Sequence, residues 1–470
     1  MRKLSYPLLL VIVGTASLSP CDVLNPKSKN KPGDNVVPQT STEESGVMFV
    51  DFEDAACQEQ SVSKSFDRAT IWQWSGTEAT PLEVDMKGTG GDSEGAVTSD
   101  GVLGAVTKLV WEYKCNLYED DCKLDKKPAE TKVVKICQTK PSYRRDSIES
   151  VTLTSQYFST SAYDFYHSLR SKRDGLDDTI LVIHPKFKRH YSSDGSVEID
   201  SDNASFVKTD KAKIFLVYPT SMKSFSKSPV HLWEVPFTMK HEYGHHVFAH
   251  HVKSGPNGSS TADIIGEIHT HNENVLPFSG RKRHEMALTS AADTAKLIFK
   301  GVNEMFADLF SFYANAAKGG QLKGVYALEV TRDPLSPTTV GGQPKVLTAD
   351  ILKIIEGKSE PLKVTDKRDP SYDDEHDVAA VLGYPVARLI EKSHPDKSNE
   401  QKADLLIRWL DKLSAYVETN RTSITLDGMI ELLVTVIAED STLSATQKEQ
   451  TCAEFRKLVP GLVKSSAACR

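Results

Sequence analysis

This 470-residue chain is as informative for what it lacks as for what it holds. Beyond its N-terminal segment no stretch of about 20 apolar residues occurs, so nothing there reads as a membrane-spanning helix. There is no excess of basic residues: the net charge of −7 leaves no electrostatic footprint for nucleic acid, and no nucleic-acid partner is expected. No repeat at a fixed period appears, which sets aside solenoids and propellers. Cysteine is sparse, with seven in all. What remains is ordinary for a globular protein with a sizeable core: 39% hydrophobic and 26% charged residues.

The N-terminus has the form of a targeting segment. Arg2 and Lys3 precede an apolar run from Leu8 to Ala16 that is too short for a stable span. Leu18-Ser19-Pro20-Cys21 comes next and resembles a bacterial lipoprotein signal, although Pro20 departs from the small residue usual before the cysteine. The resemblance implies cleavage within 1–21, lipid on Cys21 and a place in the cell envelope. A plain secretory signal would instead give a secreted protein. With Cys21 set apart, Cys57, Cys115, Cys122, Cys137, Cys452 and Cys469 remain, an even number that suggests disulfides in an exported chain. Cys452 and Cys469 stand alone near the C-terminus and are expected to pair. Zinc held by Cys115 and Cys122 is the competing reading, and their spacing suits it poorly.

Residues 22–46, rich in Pro, Lys, Asn, Ser and Thr, read as a disordered tether. Residues 47–140 lean toward strands, with Val47–Val50, Ala69–Trp74 and Lys132–Ile136 as candidates, and hold four of the cysteines. They read as a β-rich, disulfide-braced region that is either accessory, a pro-region, or part of the next lobe's sheet. From Ser147 the pattern is a helix to Leu169, strands at Thr179–Ile183 and Lys213–Tyr218, and helices at Pro236–Val252 and Ala291–Ala317. Beyond these, apolar spacing near 3.6 marks helices at 349–356, 378–392, 400–417, 427–437 and 445–458.

His241-Glu242-Tyr243-Gly244-His245 is the chemically loaded segment. On a helix, positions i and i+4 share a face, so both imidazoles can meet one metal ion. Glu242 lies beside that face, where a carboxylate can take a proton from a metal-bound water. Two neutral nitrogens suit Zn²⁺, which needs a third protein ligand and one open position. His251 falls six residues after His245, where a third histidine would complete H-E-x-x-H-x-x-G-x-x-H. That scheme needs Gly at position 248 to break the helix, and Phe248 stands there.

Gly301-Val302-Asn303-Glu304-Met305-Phe306-Ala307-Asp308 resembles the N-E-x-x-S/A-D signature of thermolysin-like metallopeptidases, the gluzincins. Ala162-Tyr163-Asp164-Phe165-Tyr166 and Asn203-Ala204-Ser205-Phe206 are similar to that family's helix and substrate-holding edge strand, in the family's order. The resemblance implies an α+β, zincin-like two-lobe fold: a catalytic lobe at 141–320 with a mixed sheet and active-site helix, and a mainly helical C-terminal lobe at 321–470. It implies one catalytic Zn²⁺ on His241, His245 and Glu304, with Asp308 holding the free ring nitrogen of a ligand histidine. Glu242 would be the general base, and Asn203 and Ala204 would hold a peptide substrate. Asp373-Asp374-Glu375-His376 looks like the segment carrying the oxyanion-stabilising histidine, which makes His376 catalytic, with Tyr372 and Tyr384 as substitutes. Arg332 matches the arginine that grips the substrate carbonyl. No run of calcium-site acids stands out, so Ca²⁺ is left open. The activity implied is an exported zinc endopeptidase. The competing class is a non-catalytic envelope lipoprotein that uses such a scaffold for binding or for a structural zinc.

Overall fold

A computed structural model describes residues 68–75, 78–85, 102–116, 123–126, 132–133, 144–145, 148–169, 180–200, 204–208, 213–217, 221–222, 230–261, 264, 291–316, 333–338, 344–359, 372 and 375–462. The expected signal at 1–21 with Cys21, the tether at 22–46 and the strand at Val47–Val50 lie outside these residues. So do Asn203 and Arg332.

The N-terminal part is mixed α/β. Strands β1 (Arg68–Trp74) and β2 (Ala79–Asp85) form an antiparallel pair. It is seated on helix α1 (Ile148–Leu169) through Ala69, Ile71 and Trp74, and the Trp72 backbone N–H donates to Thr154 Oγ1 at 3.1 Å. The main sheet contains β3 (Val102–Cys115), β4 (Lys123–Lys126), β5 (Lys132–Val133), β6 (Ile180–Tyr191), β7 (Val197–Asp200), β8 (Ala204–Lys208) and β9 (Lys213–Val217). Its main path is β4-β3-β6-β9-β8, with β5 paired to β3 and β7 paired to β6. β3, β6 and β9 run parallel, and β4 and β8 are antiparallel at the two ends. A parallel pair needs a crossover rather than a hairpin, and α1 supplies it between β3 and β6. The sheet therefore reaches back into the region before residue 140. β3 is absent from the sequence expectations: Gly104 interrupts it, and its long parallel pairing with β6 is a contact between distant segments that local sequence does not carry.

A short strand pair, β10 (Ser221–Met222) and β11 (Val230–His231), leads through a turn of 3₁₀ helix at Leu232–Glu234 into α2 (Pro236–His251). Pro236 sits at the first helical position, where its missing N–H costs nothing and its fixed φ favours the helix. α2 is buried on nearly every side, between β8, α1 and helix α3 (Ala291–Ala316). Phe248 of α2 packs edge-on to Phe299, and Phe306 and Phe310 of α3 continue the aromatic layer toward Tyr243 and Phe165.

The C-terminal part is largely helical: α4 (Ala349–Ile355), α5 (Glu375–Ser393), α6 (Asn399–Thr419), α7 (Leu426–Glu439) and α8 (Ala445–Leu458). Serine and glutamine form reciprocal capping boxes at the starts of α6 and α8, Ser398 with Gln401 and Ser444 with Gln447. α5 and α6 both pack on α3, so the helical part closes over the buried helix pair. The whole is a coarse two-lobe arrangement. Cys115 and Cys452 are each disulfide-bonded, and the partner cysteines lie outside the described residues. Among the described residues no helix is long and apolar enough to cross a membrane.

Candidate metal centre

The site forms where α2 and α3 cross. Their approach is set by two small residues: a Cβ built on Gly244 would lie 2.8 Å from Ala307 Cα and 3.2 Å from Ala307 Cβ. With no side chain at 244, the backbones meet closely enough for side chains flanking the crossing to converge. His241 and His245 project from α2, and Glu304 and Asp308 from α3. All four are buried.

His241 Nε2 and His245 Nε2 are 3.0 Å apart. Glu304 closes the triangle, with Oε2 at 3.3 Å from His241 Nε2 and Oε1 at 3.4 Å from His245 Nε2. Ligands about 2.0–2.1 Å from a tetrahedral zinc are separated by about 3.3–3.4 Å. The donor set therefore fits a zinc ion in chemistry and in spacing. Among the described residues, His241, His245 and Glu304 are the cluster able to hold a metal ion.

Outer contacts orient both imidazoles. His241 Nδ1 lies 2.9 Å from Asp308 Oδ1, a carboxylate that favours the ring proton on Nδ1 and so an Nε2 lone pair free for the cluster. His245 Nδ1 lies 2.8 Å from the Asn303 amide nitrogen, while Asn303 Oδ1 is buried without a hydrogen-bond partner among the described residues. Amide oxygen and nitrogen are interchangeable by a flip. Turning the amide lets His245 Nδ1–H donate to Oδ1 and frees Nε2. Asn303 was visible as the first letter of the N-E-x-x-A-D stretch, yet sequence reading gave it no role.

His376 stands in the first turn of α5, partly exposed, with Nε2 3.7 Å from Glu304 Oε2. A second glycine brings it there. A Cβ on Gly301 would clash with Val378 at 2.4 Å, so α5 crosses α3 tightly one turn before Glu304. Tyr372 is buried just upstream, in the left-handed region at φ 66°, and its N–H donates to Asp377 Oδ2 at 2.9 Å. Tyr384 is half-buried within α5.

Ala204 opens β8, the end strand of the sheet. The ring of Phe206 lies 5.5 Å from that of His246, which sets this strand against α2. His251 is not part of the cluster. α2 continues unbroken through Phe248, and His251 bonds Tyr166 Oη through Nε2 and Asp411 Oδ1 through Nδ1, each at 2.8 Å. It ties the end of α2 to α1 and α6.

No protein-family model matches this chain, and no curated protein matches it. The site is thus defined by its own geometry: a buried His/His/Glu cluster consistent with zinc binding, at a helix crossing roofed by a helical lobe.

Proposed function

We propose that the chain is a zinc metalloendopeptidase of the gluzincin kind. The observation that supports this best is the convergence of His241, His245 and Glu304, with Glu242 buried one residue from a ligand. A site serving only to hold the fold has no use for a base there. Zn²⁺ bound at the cluster would supply Lewis-acid polarisation of the scissile carbonyl and acidification of water.

The chain's own groups do the rest. Glu242 takes the proton of the attacking water and delivers it to the leaving amine nitrogen. His376, 3.7 Å from Glu304, donates its ring N–H to the carbonyl oxygen as that oxygen gains charge. β8 holds an extended peptide by strand addition, its backbone groups pairing with the substrate from Ala204 onward. Asn203 and Arg332 are assigned to substrate binding by the resemblance alone. Export, with lipid on Cys21 or by plain secretion, belongs to the same proposal, and the disulfides at Cys115 and Cys452 suit an oxidising compartment.

One observation favours a second reading. His376 is near enough to Glu304 to swing in as a fourth ligand, which would close the site and make the zinc structural. The soluble form beginning at Asp22, incubated with a diverse peptide mixture beside Glu242→Gln, separates the two. Cleavage by the parent alone, with equal zinc content in both proteins, supports the peptidase. Stoichiometric zinc and no cleavage by either would overturn it in favour of a structural centre.

A further inference from the structure

His376 reaches the metal centre from the first turn of α5, the part of a helix that frays most readily. Two contacts restrain it. Val378 presses on α3 at Gly301, which fixes the residues just after it. Asp377 Oδ2 accepts the backbone N–H of Tyr372 at 2.9 Å, which ties together residues five apart with His376 between them. A hydrogen bond to an ionised carboxylate is among the stronger kinds. Tyr372 is held in a conformation that needs a cause. Its φ of 66° lies in the left-handed region, which bulky side chains rarely adopt. Such a backbone persists only where its surroundings impose it, and residues of this kind collect at active sites. Here burial of Tyr372 and the Asp377 carboxylate impose it. An acid anywhere in the first turn would favour the helix dipole, and Glu375 already does so. The dipole does not account for a carboxylate aimed back at the Tyr372 amide.

Resting on the metallopeptidase reading above, we propose that Asp377 is a positioning residue: it clamps the left-handed turn at Tyr372 and so holds His376 at the metal centre. Asp377 touches neither metal nor substrate in this role. It acts through the path of the chain into α5. Without the clamp, Tyr372 gains by returning to ordinary backbone, and the first turn of α5 shifts with it. Val378 stays on Gly301, so the helix keeps its seat and His376 alone loses its place. A displacement of about 1 Å at a catalytic group costs up to about 100-fold in rate. The ligands His241, His245 and Glu304 sit on α2 and α3 and are left as they are.

The test compares Asp377→Ala, which removes the acceptor, with Asp377→Asn, which removes the charge but keeps a side-chain oxygen able to accept the same N–H. Each protein is loaded with Co²⁺, which takes the same nitrogen and oxygen donors as zinc. The paramagnetic shift of the His376 ring protons then reports their distance from the metal, whether or not the protein cleaves anything. Amide exchange at Tyr372 reports the clamp itself. The parent and Asp377→Asn should share the His376 shift and a protected Tyr372 amide. Asp377→Ala should lose both, with zinc affinity unchanged. On a peptide substrate, kcat of Asp377→Ala should fall by about 10- to 100-fold with KM within about twofold, and Asp377→Asn should restore most of it. A His376 shift that survives Asp377→Ala overturns the proposal. So does Asp377→Asn failing as Asp377→Ala does, because the charge and not the clamp would then be at work. If the parent cleaves nothing while the His376 shift still depends on an acceptor at 377, the positioning stands and the peptidase reading falls.

Discussion

Gly244→Ala tests the helix crossing on which the metal centre depends. The added Cβ would sit 2.8 Å from Ala307 Cα, 3.2 Å from its Cβ and 3.3 Å from its carbonyl oxygen. Carbon atoms rest at about 3.5–4.0 Å, so α2 and α3 must part locally by about 0.7–1.2 Å. His241 and His245 lie three residues before and one after Gly244, and Glu304 lies three before Ala307. The displacement therefore acts almost undiluted on the 3.3 and 3.4 Å gaps between them. Overpacking of this kind costs about 1–3 kcal/mol. Alanine in place of glycine within a helix returns up to about 1 kcal/mol. The expected net loss is about 1–2 kcal/mol in urea unfolding of the metal-free protein. Zinc affinity should fall by more, about 100-fold in a chelator competition, because metal sites tolerate only about 0.2 Å in ligand distance. Ala307→Gly removes the 3.2 Å contact but not the 2.8 Å backbone contact, so the double variant should recover only part of either loss. A Gly244→Ala protein that is more stable than the parent, with the same zinc affinity, would refute the reasoning.

Other expectations are as direct. Asp308→Asn removes the carboxylate beside His241 Nδ1 and should weaken zinc binding by about 10–100-fold, measured by competition with a chromophoric chelator. Arg145 grips the fully buried Glu234 with two hydrogen bonds at the entrance to α2, so Arg145→Met should cost about 3–5 kcal/mol in denaturant unfolding by stranding that carboxylate; a loss under 1 kcal/mol would contradict the assignment. Lys345 is buried, and burial lowers its pKa to about 8 against the pull of Asp333 and Asp308. The unfolded chain then binds more protons than the folded one between about pH 8 and 10.5, so stability rises with pH across that window, by up to about 3 kcal/mol from this group. Lys345→Met should flatten that rise, read as the difference between parent and variant in urea titrations at pH 7.5 and 10.

The helices were legible because their apolar spacing is regular and their ends carry ordinary signals. Pro236 opens α2, and Ser398 and Ser444 cap α6 and α8, each with Gln three residues on. The paired histidines of α2 and the Glu304/Asp308 pair of α3 were legible for the same reason, since helical spacing fixes which residues share a face. The sheet was less so. β1 falls close to the expected Ala69–Trp74, but β6 extends to Tyr191, well past Ile183, through a Lys- and His-rich stretch with little strand character. β5 covers Lys132–Val133, and the rest of the expected Lys132–Ile136 strand lies outside the described residues. Strand pairing is a long-range property, and neither the 14-residue β3 nor its parallel partnership with β6 is written in local sequence. The roles of Asn303 and His251 were also hidden. Each depends on which side chain arrives from a distant element, His245 in one case, Tyr166 and Asp411 in the other.

The two glycines explain why distant motifs act together. H-E-x-x-H names the metal-facing residues of α2, but the residue before its second histidine, Gly244, meets α3 at Ala307, the small residue before Asp308. A larger side chain at either place would push Glu304 off the two imidazoles. Gly301 repeats the device three residues before Glu304, where Val378 and the Glu375 carbonyl of α5 press against α3 and bring His376 toward the centre. Helices from three parts of the chain thus meet at backbone contact within about two turns of α3. A site built this way depends on the helical C-terminal part for its shape as well as for His376. Truncating the chain before α5 should therefore disturb the His/His/Glu cluster itself, because the buried face of α3 around Gly301 and Val302 would lose its cover.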